Sequence, residues 1–184
     1  MVSGPLQCGG RSRDEALRKA RPIRLLLTDC DGVLTDAGVY YGSRGEAMKR
    51  FSIRDGMGVE RLREIAGIET GILSGENAPA IARRAAKLAI REAHLGVRDK
   101  FAALLEIAER RRFDFSQIAY IGDDVNDLAA MHASGLSACP RDALPEVVAC
   151  VDYVCALSGG LGAFREFAEL LILGVDGVFG AEIQ

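Results

Sequence analysis

The chain has 184 residues, of which 49% are hydrophobic and 27% charged, enough for one full core, too few for two comfortable domains, and the wrong composition for a disordered chain. Its net charge of −3 leaves no basic surplus to neutralise a polynucleotide. No apolar run has the length of a membrane span, and the first twenty residues lack a signal-peptide core, so a cytoplasmic protein with no nucleic-acid or membrane partner is expected.

Residues 1–22 read as a flexible N-terminal extension, frayed to about Gly10, with a short helix of no assigned role over Arg13–Ala20. One domain is expected over 23–174 and a tail over 175–184. Arg24–Thr28 (RLLLT) is a compact apolar run that ends abruptly in the acidic segment DCDGVLTD, the pattern of a buried parallel strand followed by a loop. Val39–Phe51 alternates around a Ser-Arg-Gly turn and predicts a β-hairpin that projects as a flap. Helical spacing follows from Met57 to Ala66, then a second strand, GIETGILSG, ends in Ser74. Asn77–Leu88 and Lys100–Arg111 predict two further helices, the first with Pro79 in its opening turn. QIAYIGDD is another buried strand ending in acids, Asp127–Ser134 a helix, GLSACP and DYVCA short strands, and Gly162–Leu173 a closing helix.

This alternation predicts right-handed βαβ crossovers and an α/β fold, a doubly wound parallel sheet of Rossmann type. The segments between Asp31 and Ser74 and between Lys100 and Asp123 leave no room for a cap domain, so the site must be covered by the hairpin or by another subunit. The cysteines, Cys8, Cys30, Cys139, Cys150 and Cys155, are odd in number and lack CxxC spacing, which argues against a disulfide framework or a zinc site. Cys30, Cys150 and Cys155 read as small buried apolar side chains, and His94 and His132 as packing or surface residues.

Asp29 and Asp31 end the first strand, with Gly32 allowing a sharp turn beside them. Like charges this close call for a counter-ion, and Mg²⁺, which favours carboxylates and phosphate oxygens, suits them together with Asp123 from another strand end. Ser74, Lys100 and the acids Asp123, Asp124 and Asp127 each follow an apolar strand or open a helix, so a doubly wound sheet would gather them along one rim. Asp124 and Asp127 could ligate an ion, act through water or orient Lys100, and Asp127 could instead cap the next helix.

In motif order the chain resembles the haloacid dehalogenase superfamily of phosphatases, through DCDGVLT at 29 to 35, Ser74, Lys100 and GDDVND at 122 to 127. The resemblance implies that Asp29 attacks phosphorus to give an aspartyl-phosphate, and that Asp31 protonates the leaving oxygen and then deprotonates water. It further implies that Ser74 and Lys100 hold the phosphoryl group, and that Mg²⁺ is bound by a set drawn from Asp29, Asp31, Asp123, Asp124 and Asp127.

The hairpin, the RDGMG segment and the tail SGGLGAFREF resemble the capless subfamily acting on 3-deoxy-manno-octulosonate 8-phosphate and nine-carbon relatives, sugars of lipopolysaccharide and sialic-acid synthesis. That resemblance implies a homotetramer whose neighbouring subunits close the site. Where eight-carbon enzymes usually carry Gly-Arg after the serine, this chain has Gly75 and Glu76, followed by Arg84 and Lys87. These four resemble substrate-binding positions of the branch acting on 2-keto-3-deoxy-nononate or N-acylneuraminate 9-phosphate, and a nine-carbon ester is preferred on that ground. RDG at Arg54–Gly56 is closer to the eight-carbon enzymes. The rival expectation is a catalytically weak assembly or regulatory module associated with a sugar-acid cytidylyltransferase.

Overall fold

The structure, a computed structural model, describes residues 12–176. Helix α1 (Arg13–Ala20) leads into β1 (Leu25–Thr28), and the following loop reaches a ribbon of β2 (Tyr40–Gly42) and β3 (Gly45–Met48). Then come α2 (Ile53–Arg61), β4 (Glu69–Ser74), α3 (Pro79–Lys87), β5 (Glu92–Leu95), α4 (Lys100–Arg111) and β6 (Ile118–Ile121). The described chain closes with α5 (Leu128–Ala133), β7 (Leu136–Cys139), α6 (Pro145–Val148), β8 (Tyr153–Val154) and α7 (Ala163–Asp176).

Among the described residues, six strands form one parallel sheet in the order β5-β4-β1-β6-β7-β8, and β2 and β3 pair antiparallel outside it. Successive side chains of a strand point to opposite faces, and here both faces are covered. Leu26 packs with Val59, Ile81 and Phe164 on the side of α1, α2, α3 and α7. Leu25 and Leu27 pack with Leu104, Met131 and Val147 on the side of α4, α5 and α6. Burial on both faces explains why β1 reads as an unbroken apolar run.

Chain order reverses direction at β1, which lies between β4 and β6, the switch point at which such sheets open a crevice at their carboxyl ends. Thr28 is in register with Ile72 and with Ile121. Asp29, Ser74 and Asp123 therefore leave three adjacent strands at one level.

Several expectations need correction. The segment before β1 is more than an appendage, because Ala16, Leu17 and Ala20 are buried in the core against α7. Helix α2 begins at Ile53 rather than Met57, since the Ser52 hydroxyl caps it by accepting from the Asp55 N–H. Its continuation, Leu62–Ala66, is a π-helical stretch ended by Gly67 at φ 66°. Strand β5, which contains His94, and α6 were not foreseen, and α7 runs to Asp176, past the expected domain end at 174. Cys139 is buried and Cys150 exposed, the reverse of what was expected for Cys150. The expected frayed start to Gly10, and the tail beyond Asp176, lie outside the described residues.

Candidate active site

The Asp29 side chain is almost wholly buried at the end of β1, where its Oδ1 accepts from the Cys30 N–H at 2.7 Å and lies 3.0 Å from the Lys100 ammonium. Lys100 is the first residue of α4, presented by the Asp99 cap, and is itself buried. Its Nζ also donates to Asp127 Oδ1 at 2.7 Å. Asp127 is fully buried and saturated: the Tyr120 hydroxyl donates to Oδ1 at 2.7 Å, and the Asp123 and Asp124 N–H groups donate to Oδ2 at 3.3 and 3.4 Å. It both orients Lys100 and shapes the loop that carries its two acidic neighbours.

Among the described residues, one carboxylate oxygen from each of Asp29, Asp123 and Asp127 lies within 4.8 Å of the others. Burial and the Asp127 charge push Asp29 up to about 7, despite Lys100. Burial, then Asp29 and Asp127, push Asp123 up to about 8. Burial alone would lower Lys100, but Asp29 and Asp127 more than offset it and the ammonium is held more firmly than usual. Asp123 Oδ1 is buried with no hydrogen-bond partner among the described residues, a costly arrangement in a folded protein. Excess negative charge together with an orphaned carboxylate oxygen fits a small oxygen-seeking dication, and Mg²⁺ is the hard ion such donors select.

Gly32 is what lets this group form. Its φ is +86°, and a Cβ there would fall 1.9 Å from Asp123 Oδ2. The Gly32 carbonyl is backed by Gly159, where an added Cβ would lie 1.9 Å from that oxygen.

The remaining candidates divide. Ser74 is buried at the end of β4, its Oγ accepting from the Glu76 N–H at 3.1 Å. Gly75 and Glu76 are exposed in the next loop, and Glu76 borders a recess of about 280 Å³ with Glu46 of the ribbon and Arg83. Asp31 lies outside the three-carboxylate group: Thr35 Oγ1 donates to it at 3.1 Å and Lys49 Nζ at 2.9 and 3.0 Å. Asp124 faces solvent, its Oδ1 accepting from the Val125 N–H at 2.6 Å to cap a 3₁₀ turn. Of the five acids expected around the ion, the fold thus brings together the side chains of three, because Asp31 and Asp124 are engaged elsewhere. Arg84 donates to the Ser52 carbonyl at 2.8 Å and its guanidinium lies over Phe51. Lys87 is exposed at the last turn of α3, about 12 Å along the helix axis from Pro79 at 1.5 Å per residue. Lys49 was not foreseen; the basic pair that follows the ribbon was its only signal.

A profile of haloacid dehalogenase-like hydrolases matches residues 94–159. The 3-deoxy-D-manno-octulosonate 8-phosphate phosphatase of Escherichia coli K12 is 38% identical over 166 residues, 90% of this chain and 88% of that one. Its counterpart in Haemophilus influenzae is 40% identical over 155 residues, 84% of this chain and 86% of that one. A cobalt-bound structure of the Haemophilus influenzae phosphatase superposes with a TM-score of 0.83 at 39% identity, covering 89% of this chain and 96% of that one. The Moraxella catarrhalis phosphatase, in complex with magnesium, phosphate and 3-deoxy-D-manno-octulosonate (KDO), gives 0.85 at 34% identity, over 89% of this chain and 95% of that one.

Proposed function

Because the chain belongs to the 3-deoxy-D-manno-octulosonate 8-phosphate phosphatase family of haloacid dehalogenase-like hydrolases, we propose that it removes phosphate from an eight- or nine-carbon 3-deoxy-2-ulosonate, with Asp29 as nucleophile. The observation that carries this reading is the buried Asp29 carboxylate, set between the Lys100 ammonium and the Asp123 and Asp127 carboxylates. The enzyme is a phosphoric monoester hydrolase that uses Mg²⁺. Asp29 and Asp123 would hold the ion, with Asp127 beside them keeping Lys100 in place, and the bound ion would supply positive charge to the phosphoryl oxygens.

The chain's own groups divide the rest of the work. Asp29 attacks phosphorus and becomes the aspartyl-phosphate, while Lys100 screens the approach of two anions. Asp31 gives a proton to the leaving oxygen and takes one from the water that hydrolyses the intermediate. Ser74 hydrogen-bonds the phosphoryl group in transit. The ribbon strands are exposed throughout, including Tyr40, Tyr41 and Met48, which supports closure of the site by neighbours in a homotetramer. No described helix is long and apolar enough to cross a membrane, and a cytoplasmic location suits a phosphorylated sugar acid.

Within this substrate class, Glu76 favours the nine-carbon ester as a second reading, since its exposed carboxylate at the recess would accept hydrogen bonds from the distal hydroxyls. The exposed Lys87 would add positive charge for a sugar carboxylate, and Arg84 would do so on leaving the Ser52 carbonyl. A phosphate-release screen over eight- and nine-carbon keto-sugar phosphates with Mg²⁺ tests both. Folded protein that releases phosphate from none of them would overturn the assignment and leave the non-catalytic module.

A further inference from the structure

The ribbon is exposed along its length, but the lysine that follows it is not. The Lys49 side chain is 1% exposed, its ammonium within 3.0 Å of both Asp31 oxygens and 3.8 Å from Glu46. A covered ammonium is costly unless it is paired, and Asp31 is the partner that makes it tolerable. Next along the chain, Arg50 Nη1 donates to Asp36 at 3.1 Å and to the Gly160 carbonyl at 3.4 Å. Two consecutive cations thus fasten the foot of the ribbon to two acids of the nucleophile loop.

From its own loop, Asp31 receives the Thr35 hydroxyl hydrogen bond at 3.1 Å, from one direction. A carboxylate that serves as donor in one half-reaction and acceptor in the next must keep its place through both, and a shift of about 1 Å in such a group costs about a hundredfold in rate. Lys49, approaching from the ribbon, grips both oxygens.

We propose that Lys49 is a positioning residue that fixes the Asp31 carboxylate for proton transfer and so ties the seating of the ribbon to turnover. The inference rests on the reading of Asp31 as proton donor and acceptor.

The test is a cycle of wild type, Lys49→Met, Asp31→Asn and the double variant, with Lys49→Arg alongside. Single-turnover and steady-state phosphate release are read with the eight- and nine-carbon esters at saturating Mg²⁺. Lys49→Met is expected to lower kcat about a hundredfold while KM moves less than about threefold, and Lys49→Arg to recover most of the loss by bidentate pairing. In the Asp31→Asn background the same change is expected to cost less than about threefold, because groups that act as a unit are non-additive. Additive losses, or an arginine variant as slow as the methionine one, would overturn the role of Lys49 and leave that of Asp31 intact. Asp31→Asn at wild-type rate would instead overturn the reading of Asp31 and Lys49 with it.

Discussion

Gly32→Ala replaces one hydrogen by a methyl group, and the structure says where that group goes. The new Cβ would lie 1.9 Å from Asp123 Oδ2 and 2.4 Å from its Cγ, against an ordinary contact of 3.4 Å or more. Gly32 cannot give way, because Gly159 is packed on its carbonyl oxygen. The Asp123 carboxylate must therefore retreat by about 1.5 Å for the pair to reach contact distance, and it would leave the group it forms with Asp29 and Asp127. A displacement of this size costs about 10²-fold in turnover. Alanine at φ +86° adds about 1–3 kcal/mol of backbone strain, and each kcal/mol lowers Tm by about 2–4 °C in a domain of this size. The assay is phosphate release against Mg²⁺ concentration, paired with thermal unfolding in EDTA. The expected outcome is a kcat down about a hundredfold, a raised Mg²⁺ half-saturation and a lowered Tm. An alanine variant within about threefold of wild type in both kcat and Mg²⁺ half-saturation would refute the steric argument.

Asp29→Asn should abolish turnover with the fold retained, and should raise Tm in EDTA by removing one of the crowded buried acids; catalytic retention in a steady-state assay would contradict the nucleophile. Both Asp29, at about 7, and Asp123, at about 8, have folded pKa values above the ordinary 3.8. The native state then holds protons the unfolded chain has lost, so metal-free stability should fall as pH rises from about 4 to about 8. Melting curves across that range should show a decline in EDTA that Mg²⁺ reduces; a flat metal-free profile would contradict the crowding. Glu76→Arg should shift kcat/KM toward the eight-carbon ester, and an unchanged ratio in the substrate screen would remove Glu76 from specificity.

Much of this was readable from residue order. RLLLT followed by DCDG has the pattern of a strand buried on both faces with acids at its carboxyl end, which places Asp29 at the rim of a doubly wound sheet. Lys100 opens a predicted helix, but only its place in the motif order set it apart from a solvated surface lysine. What sequence spacing could not give was the direction in which a side chain turns after it leaves the strand. Asp31 and Asp124 sit beside Asp29 and Asp123 in sequence, yet Thr35 with Lys49 takes the one and a helix cap the other. Strand β5 escaped notice because Glu-Ala-His-Leu carries little apolar signal, and it lies at the sheet edge. Arg84 looked available for a ligand, but a backbone carbonyl across the interface between two helices had already claimed it.

The docking of α1 on α7 has a consequence for the order of assembly. Ala20 lies against Gly174, where a Cβ would approach its own Cβ to 2.4 Å, so the first described helix waits for the last. Eight residues cannot hold a helix on their own in water, and closing so long a loop repays its entropy only once the intervening sheet exists. Helix α1, made before α7, is therefore expected to settle late, with Ala16 and Leu17 lacking the partner that covers them until α7 docks.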